Sequence, residues 1–133
     1  MHRPHLLLLA LLLAGTGFLS TASAAGKKQV TGIYSNMSYS REGGDVVGTE
    51  VFVLYEGSTY KALVQCAGGP VGEAQLLPAV VSYPEISFVI PPDSPTLCPK
   101  GEYKGKISPK GLKGSIQDHD WPGFLPRKKS YWQ

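Results

Sequence analysis

The sequence lacks the short motifs that mark common enzyme and cofactor sites. It has no Gly-x-Ser-x-Gly elbow for a serine nucleophile, no Cys-x-x-Cys pair and no phosphate loop ending in Gly-Lys-Ser/Thr. Only one histidine lies beyond residue 5, and 13 lysines and arginines face 10 acidic residues. This small charge excess argues against nucleic acid as a partner. No catalytic residue, cofactor or metal site is predicted.

Long apolar runs are also missing, except at the N-terminus. Residues 1–24 combine a basic start at Arg3, an apolar run over residues 6–19 and small residues at Ala22 and Ala24. This order is typical of a secretory signal peptide, and the run is shorter than the roughly 20 apolar residues that span a bilayer. We therefore expect cleavage near Ala24 and an exported protein, periplasmic or extracellular, without a transmembrane segment. Residues 25–133 would form a single domain with 12 basic and 10 acidic side chains.

Cysteine is scarce, with Cys66 and Cys98 as the two residues of this type. An even number of cysteines in an exported chain predicts a structural disulfide. The chain-entropy model assigns a bridge over a loop of this length about 3–4 kcal/mol. That is a large share of the stability of a small domain.

Helix signals are nearly absent beyond residue 24, and the chain contains 16 glycines and 11 prolines. Residues 102–117 instead alternate polar and apolar side chains on both sides of a Pro-Lys-Gly turn, which predicts an antiparallel hairpin. Its inward face would carry Tyr103, Gly105, Ile107, Leu112, Gly114 and Ile116.

Further strands are predicted over residues 30–40, 48–56, 59–67, 73–83 and 85–90, with glycine- and proline-rich turns between them. Cys66 should face inward, and Pro78 indicates an edge position or a bulge. We expect an all-β fold, a small antiparallel meander with one disulfide. An up-and-down β-barrel is preferred over a two-layer β-sandwich, because closure of the sheet removes exposed edges.

The C-terminal tail, residues 118–133, differs in composition from the rest of the domain, because it is both aromatic and basic. Two interpretations compete. Trp121, Phe124 and Leu125 would plug one end of the sheet while residues 129–133 form a last strand, or the tail would be an exposed arm that grips an anionic partner. Three large apolar residues within five positions favour docking.

Three other features suggest sites. Lys104, Lys106 and Lys113 would share the outer face of the hairpin, as a solvated face or as a docking stripe for an acidic surface. His119 lies between two aspartates, which allows a hydrolase that uses His119 and a carboxylate. Seven tyrosines are compatible with a ligand cavity inside a barrel or with ordinary strand positions.

These observations favour an exported, non-enzymatic binding protein that recognises a partner protein, as inhibitors and immunity proteins do, or a small ligand. The alternatives are a small-molecule carrier with an internal cavity and a small hydrolase. The protein would be a monomer or a small homo-oligomer. The predicted binding residues are Lys104, Lys106, Lys113, His119, Trp121, Arg127, Lys128, Tyr131 and Trp132.

Overall fold

A computed structural model describes residues 29–117 and 119–133. The described chain consists of strands joined by turns and loops, and no helix occurs in it. The strands are β1 (Gly32–Ser35), β2 (Ser38–Ser40), β3 (Asp45–Glu56), β4 (Thr59–Gly69), β5 (Gln75–Ser82), β6 (Glu85–Ile90), β7 (Gly101–Ile107), β8 (Gly111–Ile116) and β9 (His119–Pro126).

The strands form one antiparallel sheet in meander order, β1-β3-β4-β5-β6-β7-β8-β9, with β2 paired to β3. The sheet curls until its two ends meet, where Tyr34 and Arg127 form an isolated antiparallel bridge. The amide of Lys128 also donates to the carbonyl oxygen of Ile33 at 3.0 Å. The predicted all-β meander is therefore confirmed as a nearly closed, barrel-like sheet.

The hairpin of β7 and β8 explains how the interior is filled. Tyr103, Ile107, Leu112 and Ile116 are buried, as the alternation predicted. Gly105 and Gly114 pair directly across the two strands, and the Tyr103 ring lies over both of them. On its other side the ring stacks on Phe88, with ring centroids 4.5 Å apart. Two facing glycines thus leave room for a large aromatic ring inside a small barrel.

Cys66 and Cys98 form the predicted disulfide, with their Cα atoms 5.2 Å apart. Cys66 lies on the inward face of β4 beside Val64 and Ala62, and Cys98 lies in the loop between β6 and β7. The bridge fixes this loop to the end of β4. A buried structural disulfide indicates an oxidising, exported environment.

Two predicted strands differ in detail. The strand predicted over residues 30–40 breaks at Asn36 and Met37, because the Asn36 side chain accepts the amide hydrogen of Thr49 at 2.7 Å. Pro78 lies inside β5, but the pairing of β5 with β6 ends at Ala79. Pro78 therefore occupies a local edge, as a residue without an N–H group requires.

The tail prediction was wrong about the last strand. Residues 129–133 form no strand, and β9 begins earlier, at His119. Leu125 is fully buried, Trp121 packs partly buried against the core, and Phe124 remains exposed. The residues that the tail contributes to the core thus lie in a strand of the sheet and not in a plug.

The described residues contain no helix that is long and apolar enough to cross a membrane. The predicted signal peptide and its cleavage site near Ala24 lie outside the described residues.

Candidate functional site

The lysine stripe lies on the outer face of the hairpin, as predicted. Lys104, Lys106 and Lys113 are exposed, and Lys106 pairs directly with Lys113 across β7 and β8. Acidic residues lie among them, because Glu85 pairs with Lys106 and Glu102 forms an ion pair with Lys104 at 3.1 Å. The stripe therefore has mixed charge, which weakens its attraction for an anion.

His119 lies exposed at the start of β9, opposite Ile116 in the sheet register. Its neighbour Asp120 is exposed as well, and Asp118 lies outside the described residues. No group of three or more histidine, cysteine or acidic side chains that could hold a metal ion occurs in the described part of the chain. The hydrolase hypothesis for His119 stays untested.

Arg127 lies at the seam where the sheet closes. Its guanidinium donates to the carbonyl oxygens of Thr31 at 2.9 Å and Gln29 at 2.6 Å, and to the Tyr34 hydroxyl at 2.6 Å. The guanidinium carbon also lies 4.6 Å from the centre of the Tyr34 ring. Burial raises the pKa of Tyr34, and Arg127 partly offsets this by favouring the phenolate. The hydrogen bonds of the Arg127 side chain therefore join the two ends of the sheet.

Residues 128–133, which we call the strap, continue from the seam across the outer face of β3 and β4. The strap is held by Glu50, a carboxylate that is only 9% exposed. Ser130 donates its hydroxyl to Glu50 at 2.6 Å, and the amide of Tyr131 donates to the same carboxylate at 2.8 Å. Lys128 is exposed, and its ammonium donates to the carbonyl oxygen of Met37 at 3.4 Å.

The strap places the last aromatic residues beside the sheet. The indole N–H of Trp132 donates to Gln65 Oε1 at 3.0 Å, and Tyr131 contacts Trp132 edge to face, with centroids 4.8 Å apart. Gln65 is itself fixed, since its amide nitrogen donates to the carbonyl oxygen of Gly72 at 2.9 Å. Trp132 nevertheless stays 54% exposed.

An apolar row on the outer face of the sheet lies next to Trp132. Ile33 pairs with Phe52, Phe52 with Leu63, and Leu63 with Leu76, so one side chain from each of four neighbouring strands falls in line. We call these four residues the apolar row. Phe52 is 37% and Leu76 48% exposed. Between the row and the strap lies a groove of about 490 Å³, lined by Ile33, Phe52, Leu63 and Trp132 among others.

Sequence reasoning found Lys128, Tyr131 and Trp132 but missed the rest of this surface. The apolar run of β3 carried a signal, because it places large side chains on both faces of the strand. Such a run favours a strand in a central position, and the outer side chains Phe52 and Leu54 are only partly covered. Glu50 gave no signal, since an acidic residue within a strand is normally exposed.

Predicted binding residues thus lie on three surfaces: the mixed-charge hairpin face, the outer face with the apolar row and the strap, and the end of the barrel where Trp121 lies. Arg127 is the exception, because its side chain is engaged at the seam.

Comparison of the chain with models of protein families, with curated proteins and with solved structures finds no match.

Proposed function

We propose that the protein is an exported, non-enzymatic binding protein that recognises a partner protein through the apolar row and Trp132. The observation that carries the proposal is the register of the apolar row, which lines up Ile33, Phe52, Leu63 and Leu76 on the water-facing side of the sheet. Contiguous exposed apolar patches are uncommon on soluble proteins and mark interaction sites.

The shape of this surface favours a protein over a small molecule. The apolar row crosses three gaps between strands, which gives it a length of about 14 Å on an open sheet face. Trp132 borders the row, and tryptophan is enriched among the residues that dominate protein–protein binding energy. Lys61 lies opposite Leu54, two register positions beyond the pair of Phe52 and Leu63 and on the same face, so a partner with an acidic group beside its apolar surface would match.

The strap is part of the proposed site because it fixes the indole of Trp132 before binding. The Tyr131 amide donates to Glu50 and the Trp132 indole donates to Gln65, both of which lie in the sheet, so the ring does not have to be ordered when the partner arrives. A preorganised aromatic side chain loses less conformational entropy on association. Export to the periplasm or the cell exterior is part of the same proposal.

The test compares two exposed residues on the outer face of neighbouring strands. Leu76 on β5 belongs to the apolar row and is 48% exposed, whereas Val89 on β6 is 56% exposed and lies outside the row. Immobilised wild type, Leu76→Glu and Val89→Glu proteins are incubated with the exported fraction of the source cells, and retained proteins are quantified by mass spectrometry. The proposal expects a protein that wild type and Val89→Glu retain equally and that Leu76→Glu loses at least tenfold.

Equal retention by all three proteins would contradict the proposal. Analytical ultracentrifugation of the same variants tests whether the apolar row binds a second copy of this chain. If wild type sediments as a dimer and Leu76→Glu as a monomer, the apolar row joins two copies instead of binding a foreign partner.

A further inference from the structure

A second pocket lies at the end of the barrel that carries the disulfide. It has a volume of about 560 Å³, within the range of small-molecule sites. One wall comes from Trp121 and Pro122 at the start of β9, and another from Leu97 and Pro99 in the disulfide loop. The end of β4 and the start of β3 complete it, with Cys66 and Thr49 on their inward faces.

Among the described residues, the lining of this end pocket is uncharged. Its walls are built from Trp121, prolines, glycines and small or aliphatic residues, together with Asn36 and Thr49. A charged ligand would lose hydration there without gaining a counter-charge. Asn36 Oδ1 accepts the amide hydrogen of Thr49 at 2.7 Å, so the nitrogen of the same side-chain amide supplies the N–H donors that a ligand can use.

The pocket is held in place by covalent and hydrogen bonds. The disulfide joins Cys98 in the loop to Cys66 in β4. Thr96 accepts the amide hydrogen of Cys98 at 3.1 Å, and the Lys100 ammonium donates to the carbonyl oxygen of Ser94 at 2.9 Å. These contacts brace the loop that carries Leu97 and Pro99, so the wall does not have to form when a ligand binds.

The sheet edge at this pocket is unsuited to an added strand. Among the described residues, β9 pairs with β8 from Gly123 to Pro126 and again at His119, whereas β1 is joined to the tail at Tyr34 with Arg127 and by the bond from the Lys128 amide to Ile33. The opening beside β9 is therefore a gap in the closure of the barrel. Pro122 lies at this gap and has no N–H group for a sheet ladder. A compact molecule fits the opening better than an extended peptide.

We propose that the end pocket binds a small uncharged molecule with a flat apolar face, which stacks against the Trp121 indole and accepts a hydrogen bond from Asn36. This site is separate from the proposed partner surface, because Trp121 and Trp132 line different pockets. A result that refutes the partner surface therefore does not refute the end pocket, and the reverse also holds.

The chain contains two tryptophans, one for each surface, so fluorescence reports them separately. The probes are N-phenyl-1-naphthylamine, which is neutral, and 8-anilinonaphthalene-1-sulfonate, which has the same ring system with an anionic sulfonate. In the Trp132→Phe variant, Trp121 is the one tryptophan that transfers energy to a bound probe. We expect saturable one-to-one binding of the neutral probe with quenching of Trp121, and at least fivefold weaker binding of the sulfonate.

Two variants complete the experiment. Trp121→Ala should reduce binding of the neutral probe at least tenfold, with Trp132→Ala as the matched control that retains it. Leu97→Lys places a positive charge on an exposed position of the wall and should reverse the preference in favour of the sulfonate. Because Leu97 is 53% exposed, this variant remains informative if Trp121→Ala fails to fold.

The proposal is overturned if the neutral probe does not bind, if both probes bind equally, or if binding is lost in Trp132→Ala and kept in Trp121→Ala. The last outcome would assign the probe to the groove beside the strap.

Discussion

The strap depends on Glu50, and the substitution Glu50→Ala should release it. Glu50 accepts hydrogen bonds from the Ser130 hydroxyl at 2.6 Å and from the Tyr131 amide at 2.8 Å. The next anchor along the chain is the bond of 3.0 Å between the Trp132 indole and Gln65. Alanine removes both acceptors, and the strap then has to be held by the Trp132 contact and the bonds at Lys128.

The size of the effect follows from the two hydrogen bonds that the substitution removes. A hydrogen bond to a charged group contributes about 1.5–3 kcal/mol when buried. These two are partly exposed, so together we expect about 2–3 kcal/mol. A loss of about 2–3 kcal/mol shifts the docking equilibrium about 30- to 150-fold towards the free strap.

Because release is local, the free energy of global unfolding should fall by less than this amount. The direct assay is the emission of Trp132 in a Trp121→Phe background, where it is the one tryptophan left. Glu50→Ala should shift this emission to the red and raise its quenching by acrylamide. Glu56→Ala is the matched control, since Glu56 lies on the same strand and is exposed. If both substitutions leave Trp132 equally accessible, Glu50 does not hold the strap.

Further predictions concern the interior. Gly114→Ala should lower the free energy of unfolding, measured in urea titrations, by about 2–4 kcal/mol. The new Cβ would lie 2.5 Å from the Lys104 carbonyl oxygen and would overlap the Tyr103 ring. Gly68→Ala is the control and should change the free energy of unfolding little, because its Cβ enters open space. Tyr103→Phe should raise stability by about 1 kcal/mol, since the buried Tyr103 hydroxyl has no hydrogen-bond partner among the residues that the structure describes. A clear loss of stability in this variant would show that the hydroxyl is satisfied. Burial also raises the pKa of Tyr103 above its ordinary value of about 10, so the folded state holds the proton and stability should fall as the pH rises above about 10. The urea midpoint of Tyr103→Phe should fall less over the same pH range.

The hairpin could be predicted because its signals are local, and the disulfide could be predicted because an exported chain with two cysteines has one possible pair. Alternation within residues 102–117 fixes which face of each strand is buried, and the turn fixes the pairing of Gly105 with Gly114. The inward position of Cys66 likewise follows from its neighbours in β4. In these elements the nearest residues in sequence determine the geometry, so the pattern and the structure agree.

The outer face could not be predicted, because it depends on the registers of four strands at once. Phe52 and Leu76 lie in one row only after β3, β4 and β5 have paired in a fixed alignment. A shift of one residue would turn every side chain to the other face. Strand β9 was not predicted for another reason. Pro122 and a register shift against β8, between Gly114 and Ile116, interrupt the alternation of buried and exposed side chains in this strand. The position of the strap could not be predicted either, because Glu50 and Ser130 are 80 positions apart in the sequence.

The two proposed sites lie back to back on one pair of strands. Thr49 pairs with Cys66, and both side chains face the end pocket. The next pair along the strands, Glu50 with Gln65, faces outward and holds the strap. Because successive residues of a strand point to opposite faces, any change in the register of β3 against β4 would move both sites together. The disulfide at Cys66 lies one residue from the outward pair. It therefore braces both the wall of the end pocket and the strands on which the Trp132 surface is built. Because Tyr103 and Phe88 fill the core, both proposed binding sites lie outside it, one at the rim of the barrel and one on its outer face.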